Sequence, residues 1–450
     1  MSTENLPFPG GVLNEDNEIY ARWLKNYQDS IKAINANCGD SGTLFGSVDH
    51  WANIRPDSIA LIDHSTGEMI TRSKFRTQTN AIAAVLRAHG IQKGDVIMTY
   101  LPALPVHVSL FIAAMRIGAI MCPIDLRLKT DEIEYCIEKT RPKAFFFLGL
   151  AKIDLRPNIA PSVAKHPEVK FIQVQPSEAP ADIIPGAVHI KRFLKFAVWH
   201  LAVTMISGSV RRISAALEKD DPCLIIFTTG STGNPKPALI SHQNLAVQAK
   251  NLCTLVAFTA EDRVLLNLPL SHIGGIGELL CITIVSGCTG VLIPVFDAKT
   301  CLEAIHQHRV SMIGQIPSMF QLEWRVKEYT EGKYDLSSLK FAVYGGQSVT
   351  ADFMRKVIAM GGPTMKVATG LGLTEVGGFC TYTPVDLEDP TSISLFVGYS
   401  APNFPLTIRQ AMKEDGSAGD VLEDGEIGEI CFSGPQVFLG YLNDKEATRK

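Results

Sequence analysis

Short apolar runs separated by amphipathic stretches repeat along most of the chain. From Trp51 onward the apolar runs predict buried strands, and the stretches between them, about 10 to 15 residues long, have the period of helices. Strands that alternate with helices in this way form mostly parallel sheets covered by helices. The strands predicted on this basis span residues 58–63, 96–102, 144–150, 170–176, 224–227, 264–267, 290–294, 312–316 and 341–344.

Changes in this pattern divide the chain into three approximate parts. Residues 1–220 and 221–396 each predict an α/β unit, and a short helix is predicted over residues 20–34. In residues 397–450, short alternating strands such as LTIR and GEIC stand between Gly and Asp turns. The predicted fold class is therefore α/β, with two α/β subdomains whose mostly parallel sheets are flanked by helices, and a small β-rich, barrel-like subdomain.

Composition excludes several classes of protein. Hydrophobic residues make up 46% and charged residues 20% of the 450 positions, which is typical of a globular chain and not of a disordered or fibrous one. With 42 basic and 46 acidic residues, the chain has no excess positive charge that would attract nucleic acid. The ten cysteines include no CxxC pair, and the N-terminus lacks a signal-peptide pattern, so we expect a reduced, cytoplasmic environment.

One apolar segment, residues 196–206, could reach a membrane surface. Its eleven residues, FAVWHLAVTMI, are too few for a spanning helix, which needs about twenty. Basic residues flank it on both sides, at Lys195 before it and at Arg211 and Arg212 after it. We favour a buried helix, and an amphipathic segment that rests on a membrane as a peripheral contact is the alternative.

The richest candidate chemistry lies between two apolar runs in residues 224–241. A hydroxyl-rich and glycine-rich loop joins them, and its composition suits a phosphate chain, because hydroxyls and a lysine bind phosphate while glycines let the backbone approach it. The spacing of Lys236 and the prolines on either side of it do not match a Walker-type P-loop NTPase. The candidate phosphate-binding residues are Thr228, Thr229, Gly230, Ser231, Thr232, Gly233 and Lys236.

This loop, TTGSTGNPK, resembles the phosphate loop of the adenylate-forming superfamily, which includes acyl-CoA synthetases, luciferases and the adenylation domains of peptide synthetases. The usual family pattern is Thr-Ser-Gly-[Thr/Ser]-Thr-Gly-x-Pro-Lys-Gly. The present sequence departs from it at Thr229, a hydroxyl exchange, and at Pro237, where glycine is usual. Because proline removes a backbone donor and stiffens the chain, Pro237 puts fast motion of the loop in doubt.

Three further segments resemble the family in the same order. NLPLSHIGG, residues 267–275, is similar to a segment whose histidine lies near the acyl carboxylate, which implies that role for His272; a core histidine is the alternative. Gly274, Gly275 and Gly277 have no side chains, which predicts an open wall of the substrate pocket there. Close packing of a helix is the alternative role for these glycines. YGGQ resembles the turn that lines the adenine and acyl pocket, which implies Gly345, Gly346 and Gln347.

The third segment, ATGLGLTE at residues 368–375, resembles the family's Tyr-Gly-x-Thr-Glu motif. The resemblance implies that Glu375 holds Mg²⁺ and that Thr374 donates to phosphate. Leu371 stands where an aromatic residue commonly stacks on adenine, so nucleotide affinity could be weaker. The nucleotide-binding residues implied here are Gly370, Leu371, Gly372, Thr374 and Glu375. Residues 425–448 resemble the close of the family's large N-terminal adenylation domain, so residues 1–450 are predicted to form that domain.

The resemblance implies an acid–thiol ligase. A substrate carboxylate attacks the α-phosphorus of ATP to give an acyl-adenylate, and CoA then takes the acyl group as a thioester. The implied catalytic residues are Lys236, His272, Thr374 and Glu375, and His272, Gly274, Gly275 and Gly346 are implied to contact the substrate. We favour a medium-chain or long-chain fatty acid, and adenylation of an acyl or 3-hydroxyacyl group for a carrier protein or for lactone formation is the alternative.

A function of another class stays open. Pro237 and Leu371 would also fit a nucleotide-binding or regulatory module with weak catalysis. In the family, a ribose-binding Asp, a hinge Arg and a small mobile domain with a catalytic Lys follow this region, whereas the present sequence ends at Lys450. We therefore expect residues 1–450 alone to bind ATP and an acid but to turn over slowly or not at all.

Overall fold

The computed structural model describes residues 18–38, 42–149, 154–176, 179, 182–195, 208–228, 234–255, 258–385, 389, 396–423 and 425–449. The helices are α1 (Glu18–Cys38), α2 (Leu44–Ile54), α3 (Arg72–Ala88), α4 (Pro105–Arg116), α5 (Thr130–Thr140), α6 (Arg156–Lys165), α7 (Ile190–Lys195), α8 (Ser209–Ala215), α9 (His242–Thr254), α10 (Cys281–Ser286), α11 (Ala298–His308), α12 (Pro317–Glu323), α13 (Lys327–Thr330), α14 (Ala351–Gly361) and α15 (Lys445–Arg449). A π-helical turn spans Gly274–Leu280 and a 3₁₀ turn spans Thr374–Val376.

The described strands are short, with two to seven residues each. They are β1 (Ile59–Asp63), β2 (Met69–Thr71), β3 (Val96–Tyr100), β4 (Ile120–Pro123), β5 (Ala144–Leu148), β6 (Lys170–Val174), β7 (Val188–His189), β8 (Pro222–Thr228), β9 (Lys236–Ser241), β10 (Arg263–Leu266), β11 (Thr289–Leu292), β12 (Met312–Gln315), β13 (Phe341–Tyr344), β14 (Lys366–Thr369), β15 (Gly372–Leu373), β16 (Gly378–Phe379), β17 (Thr381–Tyr382), β18 (Tyr399–Ser400), β19 (Leu406–Arg409), β20 (Glu429–Phe432) and β21 (Gly440–Tyr441).

Two large, mostly parallel sheets carry the fold, which confirms the predicted α/β class. One sheet has the order β14-β13-β12-β10-β11-β1-β2 and the other β21-β9-β8-β4-β3-β5-β6-β7. Pairing within them is parallel except at β1 with β2, β8 with β9 and β9 with β21. Near the end of the described chain, β19 and β20 form a separate antiparallel pair, in agreement with the strands predicted from LTIR and GEIC.

The two sheets do not follow the predicted boundary at residue 220. Strands β1 and β2 come from the first part of the chain but join the sheet of β10 to β14, whereas β8, β9 and β21 join the sheet of β3 to β7. Alternation of strands and helices indicates parallel pairing, but it does not state which sheet a strand enters. The predicted division at residue 220 therefore does not coincide with the division between the two sheets, because the chain crosses between them more than once.

Helices α4, α9 and α10 are almost completely buried in the core. Several of the polar groups there are hydrogen-bonded, as burial favours. The imidazole of His107 contacts the Thr99 hydroxyl at 2.9 Å and the Pro102 carbonyl at 3.0 Å. Burial lowers the pKa of His107 to about 4, so this histidine is neutral at neutral pH.

Helix α9 carries three buried amide side chains on one face, which we call the amide row: Asn244, Gln248 and Asn251. Their spacing of four and three residues places them one turn apart. The Nδ2 atom of Asn251 donates to Oε1 of the buried Gln436 at 2.6 Å, and Oδ1 accepts from the Tyr27 hydroxyl at 2.8 Å. The amide row thus joins α1, α9 and the segment that precedes β21.

The predicted apolar segment at residues 196–206 lies outside the described residues. Among the helices that the structure describes, none combines the length and the apolar character needed to cross a bilayer. The cysteines at the described positions 122, 136, 223, 253, 281, 288, 301, 380 and 431 are free thiols.

Replacing Asn251 with leucine tests the amide row. Asn251→Leu leaves the amide oxygen of Gln436 and the Tyr27 hydroxyl buried without their partner, and each such loss costs about 1–3 kcal/mol. We expect the free energy of unfolding to fall by about 2–4 kcal/mol, measured from urea denaturation. The control Lys250→Met, at the preceding position of α9, should change it by less than about 0.5 kcal/mol. Equal stability of Asn251→Leu and the wild type would contradict this account.

Candidate active site

The carboxyl ends of neighbouring parallel strands bring two of the predicted segments together. Tyr344, the last residue of β13, is in register with Thr369, the last residue of β14. The YGGQ turn and the ATGLGLTE segment follow these two strands, so both begin at the same edge of the sheet. Ligands of open α/β sheets bind at this edge. The NLPLSHIGG segment follows β10 at the same edge, two strands away from β13.

His272 lies in the middle of this segment, at the surface of the protein. Its Nδ1 atom accepts a hydrogen bond from the backbone N–H of Gly274 at 3.1 Å. Desolvation by the surrounding protein lowers the pKa of His272; Asp125 opposes this and Arg127 adds to it. The neutral imidazole therefore carries its proton on Nε2, which can donate to a substrate oxygen.

The glycines after His272 allow the backbone to pack closely. A Cβ atom on Gly275 would lie 2.1 Å from the carbonyl oxygen of Pro269, and one on Gly277 would lie 2.4 Å from the carbonyl oxygen of Gly377. Real Cβ atoms do not approach backbone so closely, so packing alone accounts for these two glycines. Their predicted place in a pocket wall, together with that of Gly274, stays a prediction. The contact with Gly377 also ties the His272 segment to the Glu375 segment.

Lys236 and Glu375 meet at the ring of Tyr441. The Tyr441 hydroxyl donates to Oε1 of Glu375 at 2.6 Å, and the ammonium of Lys236 lies 5.4 Å from the centre of the Tyr441 ring. Burial, together with the Glu375 carboxylate, raises the pKa of Tyr441 to about 12, so the phenol stays protonated. Strand β21 carries Tyr441 and pairs with β9, which begins at Lys236. Tyr441 was not predicted as a site residue. The sequence FLGY contains no signal for it, and its contact with Glu375 exists only in the folded chain.

The structure describes the two ends of the predicted phosphate loop. Thr228 ends β8 and pairs with Lys236 at the start of β9, and its hydroxyl lies 3.4 Å from the Lys236 carbonyl oxygen. The antiparallel pair confirms the strands predicted on either side of the loop. The loop positions Thr229, Gly230, Ser231, Thr232 and Gly233 lie outside the described residues.

The remaining predicted nucleotide contacts surround the same edge. Gly346 has a φ of +88°, which suits glycine, and Gly345 lies next to the Phe379 ring. A Cβ atom on Gly370 would lie 2.0 Å from the Thr381 carbonyl oxygen, so close packing explains this glycine without a ligand. Among the other predicted contacts, Gln347 and Gly372 are exposed, while Leu371 and Thr374 are partly exposed.

The donor set around Glu375 fits a magnesium ion that is shared with a nucleotide. Among the described residues, no cluster of three or more His, Cys, Asp or Glu side chains could hold a metal by itself. Mg²⁺ bound with substrate phosphates needs only one or two protein carboxylates, since water and phosphate supply the rest. Glu375 provides one carboxylate, with Oε1 bound to Tyr441, and Thr374 adds a neighbouring hydroxyl.

Two polar residues at the site were not predicted. Glu278 lies on the π-helical turn, where desolvation raises the pKa of its carboxyl to about 7. Gln248, the middle member of the amide row, is completely buried. A signal for Glu278 exists in the sequence, because it is an acidic residue inside the apolar run GGIGELLCITIV. Gln248 has no comparable signal, since amide residues recur along the polar sequence of α9.

Comparison with known proteins agrees with this geometry. A family model described as AMP-binding enzyme matches residues 48–442. The feruloyl-CoA synthase of Amycolatopsis sp is 27% identical over 389 residues, which cover 85% of this chain and 68% of the relative. The medium-chain fatty-acid–CoA ligase of Escherichia coli (strain K12) is 26% identical over 414 residues, which cover 90% of this chain and 67% of the relative.

Solved structures show the same fold. The N-terminal domain of FACL13 from Mycobacterium tuberculosis has a TM-score of 0.71 at 22% identity and covers 90% of this chain and 93% of that chain. The anthranilate CoA ligase AuaEII, solved in complex with anthranoyl-AMP, has a TM-score of 0.74 at 18% identity and covers 90% and 72%. At these identities the likeness establishes the fold, and the predicted resemblance is confirmed at that level.

The raised pKa of Glu278 predicts a pH dependence of stability. Because the folded-state pKa of about 7 lies above the ordinary 4.5, folding favours the protonated carboxyl. The associated stability is complete below pH 4.5 and is lost as the pH rises through 7. Glu278→Gln removes this titration, so between pH 5 and pH 8 the variant should gain roughly 2–3 kcal/mol relative to wild type in urea unfolding. Stability curves that run parallel across this range would refute the assignment.

Proposed function

The chain belongs to the AMP-binding enzyme family, and we propose that its site activates a carboxylic acid with ATP and then transfers the acyl group to CoA. The observation that carries this proposal is the meeting of Lys236 and Glu375 at Tyr441, beside the strand ends from which the His272 segment departs. A cation and a carboxylate are thereby brought to one phenol ring, that of Tyr441. An anionic nucleotide and an anionic acid both need such a set.

In the proposed first step, a carboxylate oxygen of the acid forms a bond to the α-phosphorus of ATP, and the bond to pyrophosphate breaks. No protein nucleophile is required, so the chain contributes position and charge. Lys236 would balance charge on the phosphates, and Thr374 would donate to a phosphate oxygen. The Nε2–H of His272 would orient the acid, because its Nδ1 is already engaged by Gly274.

Magnesium fits this proposal as a cofactor held by Glu375. When bound, the ion would neutralise phosphate charge. Tyr441 would hold the Glu375 side chain in place through its hydrogen bond to Oε1. In the second proposed step, the thiol of CoA attacks the acyl carbon and AMP leaves, so that a thioester replaces the mixed anhydride.

For the acid, we favour a medium-chain or long-chain fatty acid. The relatives include a feruloyl-CoA synthase, a medium-chain fatty-acid–CoA ligase, a 4-coumarate–CoA ligase-like protein and an indoleacetate–CoA ligase, so they do not fix the acid for this chain. An acyl carrier protein as acceptor, lactone formation from a 3-hydroxy acid, a cytoplasmic location and contact with a membrane surface stay predictions. The same holds for low activity of residues 1–450 alone.

Removing the charge of Lys236 or of Glu375, the cluster that meets at Tyr441, tests the proposal. We expect Lys236→Ala and Glu375→Gln each to lower the rate of ATP–pyrophosphate exchange by about 10²-fold, because each removes a charge that stabilises the transferring phosphate. The assay uses the complete natural chain with a panel of fatty acids. The control Lys299→Ala removes an exposed lysine that is paired with Glu328 on the surface, and it should leave exchange unchanged. Unaltered exchange in both cluster variants would rule the proposal out.

A further inference from the structure

The amide row on α9 has two satisfied members and one that is not. Asn244 donates through Nδ2 to the carbonyl oxygens of Pro435 and Val437 at 2.8 and 2.9 Å, and Asn251 is bound to Gln436. Gln248 lies between them and is fully buried, yet neither its oxygen nor its nitrogen has a partner among the described residues. A buried amide without partners costs about 1–3 kcal/mol, and a ligand that hydrogen-bonds to it would remove this cost.

Glu278 approaches the same place from the π-helical turn. A Cβ atom on Gly378 would lie 3.0 Å from Nε2 of Gln248 and 3.3 Å from Cγ of Glu278. The two side chains therefore flank one glycine. The structure records no hydrogen bond or ion pair for Glu278 within the described part of the chain. A polar pair without partners thus lies beside the catalytic edge.

The Glu278 carboxyl also lies close to His272. A Cβ atom on Gly274 would be 3.3 Å from Nδ1 of His272 and 3.5 Å from Oε2 of Glu278, so these two atoms are at most about 6.8 Å apart. The Nε2 atom, which would hold the acid, lies on the other side of the imidazole ring from Nδ1. Two or three carbons, with a hydrogen bond of about 2.8 Å at each end, can bridge the distance from Nε2 to Glu278. An acid whose carboxylate is held by His272 would therefore present its β or γ carbon to Glu278.

We propose that Glu278, with Gln248 behind it, is a specificity-determining residue that recognises a hydroxyl or amino group on the β or γ carbon of the acid. This inference rests on the proposed function, because His272 fixes the carboxylate end of the substrate. A hydroxyl or ammonium group donates to the Glu278 carboxyl, and the amide of Gln248 can bind a hydroxyl from either its oxygen or its nitrogen. The substrate class is then a fatty acid that carries a polar donor near its carboxylate.

Other acids fit this place less well. A plain alkyl chain would cover Glu278 and Gln248 without satisfying them, and the cost of burying both polar groups would oppose its binding. A dicarboxylic acid of matching length would bring a second negative charge toward the ionised form of Glu278. A pocket built to bind a hydroxyl discriminates strongly against an analogue that lacks it, because its own polar groups are then left unpaired.

The test compares matched acids in ATP–pyrophosphate exchange with the complete natural chain. We expect kcat/KM for 3-hydroxyoctanoate to exceed that for octanoate by about tenfold or more, and Glu278→Leu to bring this ratio close to one. Gln248→Leu should lower the ratio by a smaller factor. Glu278→Gln keeps the shape and hydrogen bonding of the side chain but removes its charge. It should retain most of the preference for 3-hydroxyoctanoate and lose any preference for 3-aminooctanoate.

The control Glu323→Gln makes the same change at another buried carboxyl. Glu323 already has a partner, since Nε2 of Gln315 donates to its Oε1 at 2.8 Å, so the ratio should be unchanged. Exchange that proceeds with equal preference in wild type, or a ratio that persists in Glu278→Leu, would overturn the inference and leave the proposed function intact. Absence of exchange with every acid, together with absence of ATP binding, would overturn the proposed function and the inference with it.

Discussion

The hydrogen bonds between the amide row of α9 and the segment before β21 hold the site together. The Oε1 atom of Gln436 accepts a hydrogen bond from Nδ2 of Asn251. Its Nε2 atom donates to the carbonyl oxygens of Val376 and Phe379. A few residues later, the backbone N–H of Phe438 donates to the carbonyl oxygen of Glu375 at 2.8 Å. These buried amide side chains thus fix the position of the Glu375 loop. This lets a short, glycine-rich stretch present its carboxylate in one place.

Much of the fold and part of the site could be predicted from the sequence. Apolar runs located the strands β10, β12 and β13, and the order of strand, loop and strand around Lys236 followed from the prolines and glycines there. Sheet membership could not be predicted, because β1 and β8 each pair with strands far away in the chain, and alternation carries no information on that choice.

For the site, the residues that stand in recognisable segments were found, and those that act through long-range contact were not. Glu375 and His272 lie in segments that strongly resemble motifs of the family. Tyr441, in contrast, reaches the site only because β21 pairs with β9. Glycines illustrate the same limit. The sequence shows that small residues are required after His272, but only the distances show that the Pro269 and Gly377 carbonyls are the reason. A polar neighbour such as Gln248 is likewise visible only once its burial is known.

The ends of the larger sheet have a consequence for behaviour in a crowded solution. In the described part of the chain, the sheet that contains β9 finishes at β21 on one side and β7 on the other, and each of these has two residues. A strand this short offers few free N–H and C=O groups to a neighbouring molecule, so it is a poor template for edge-to-edge aggregation. The residues that hold Tyr441 next to Lys236 therefore also shield β9 from intermolecular pairing.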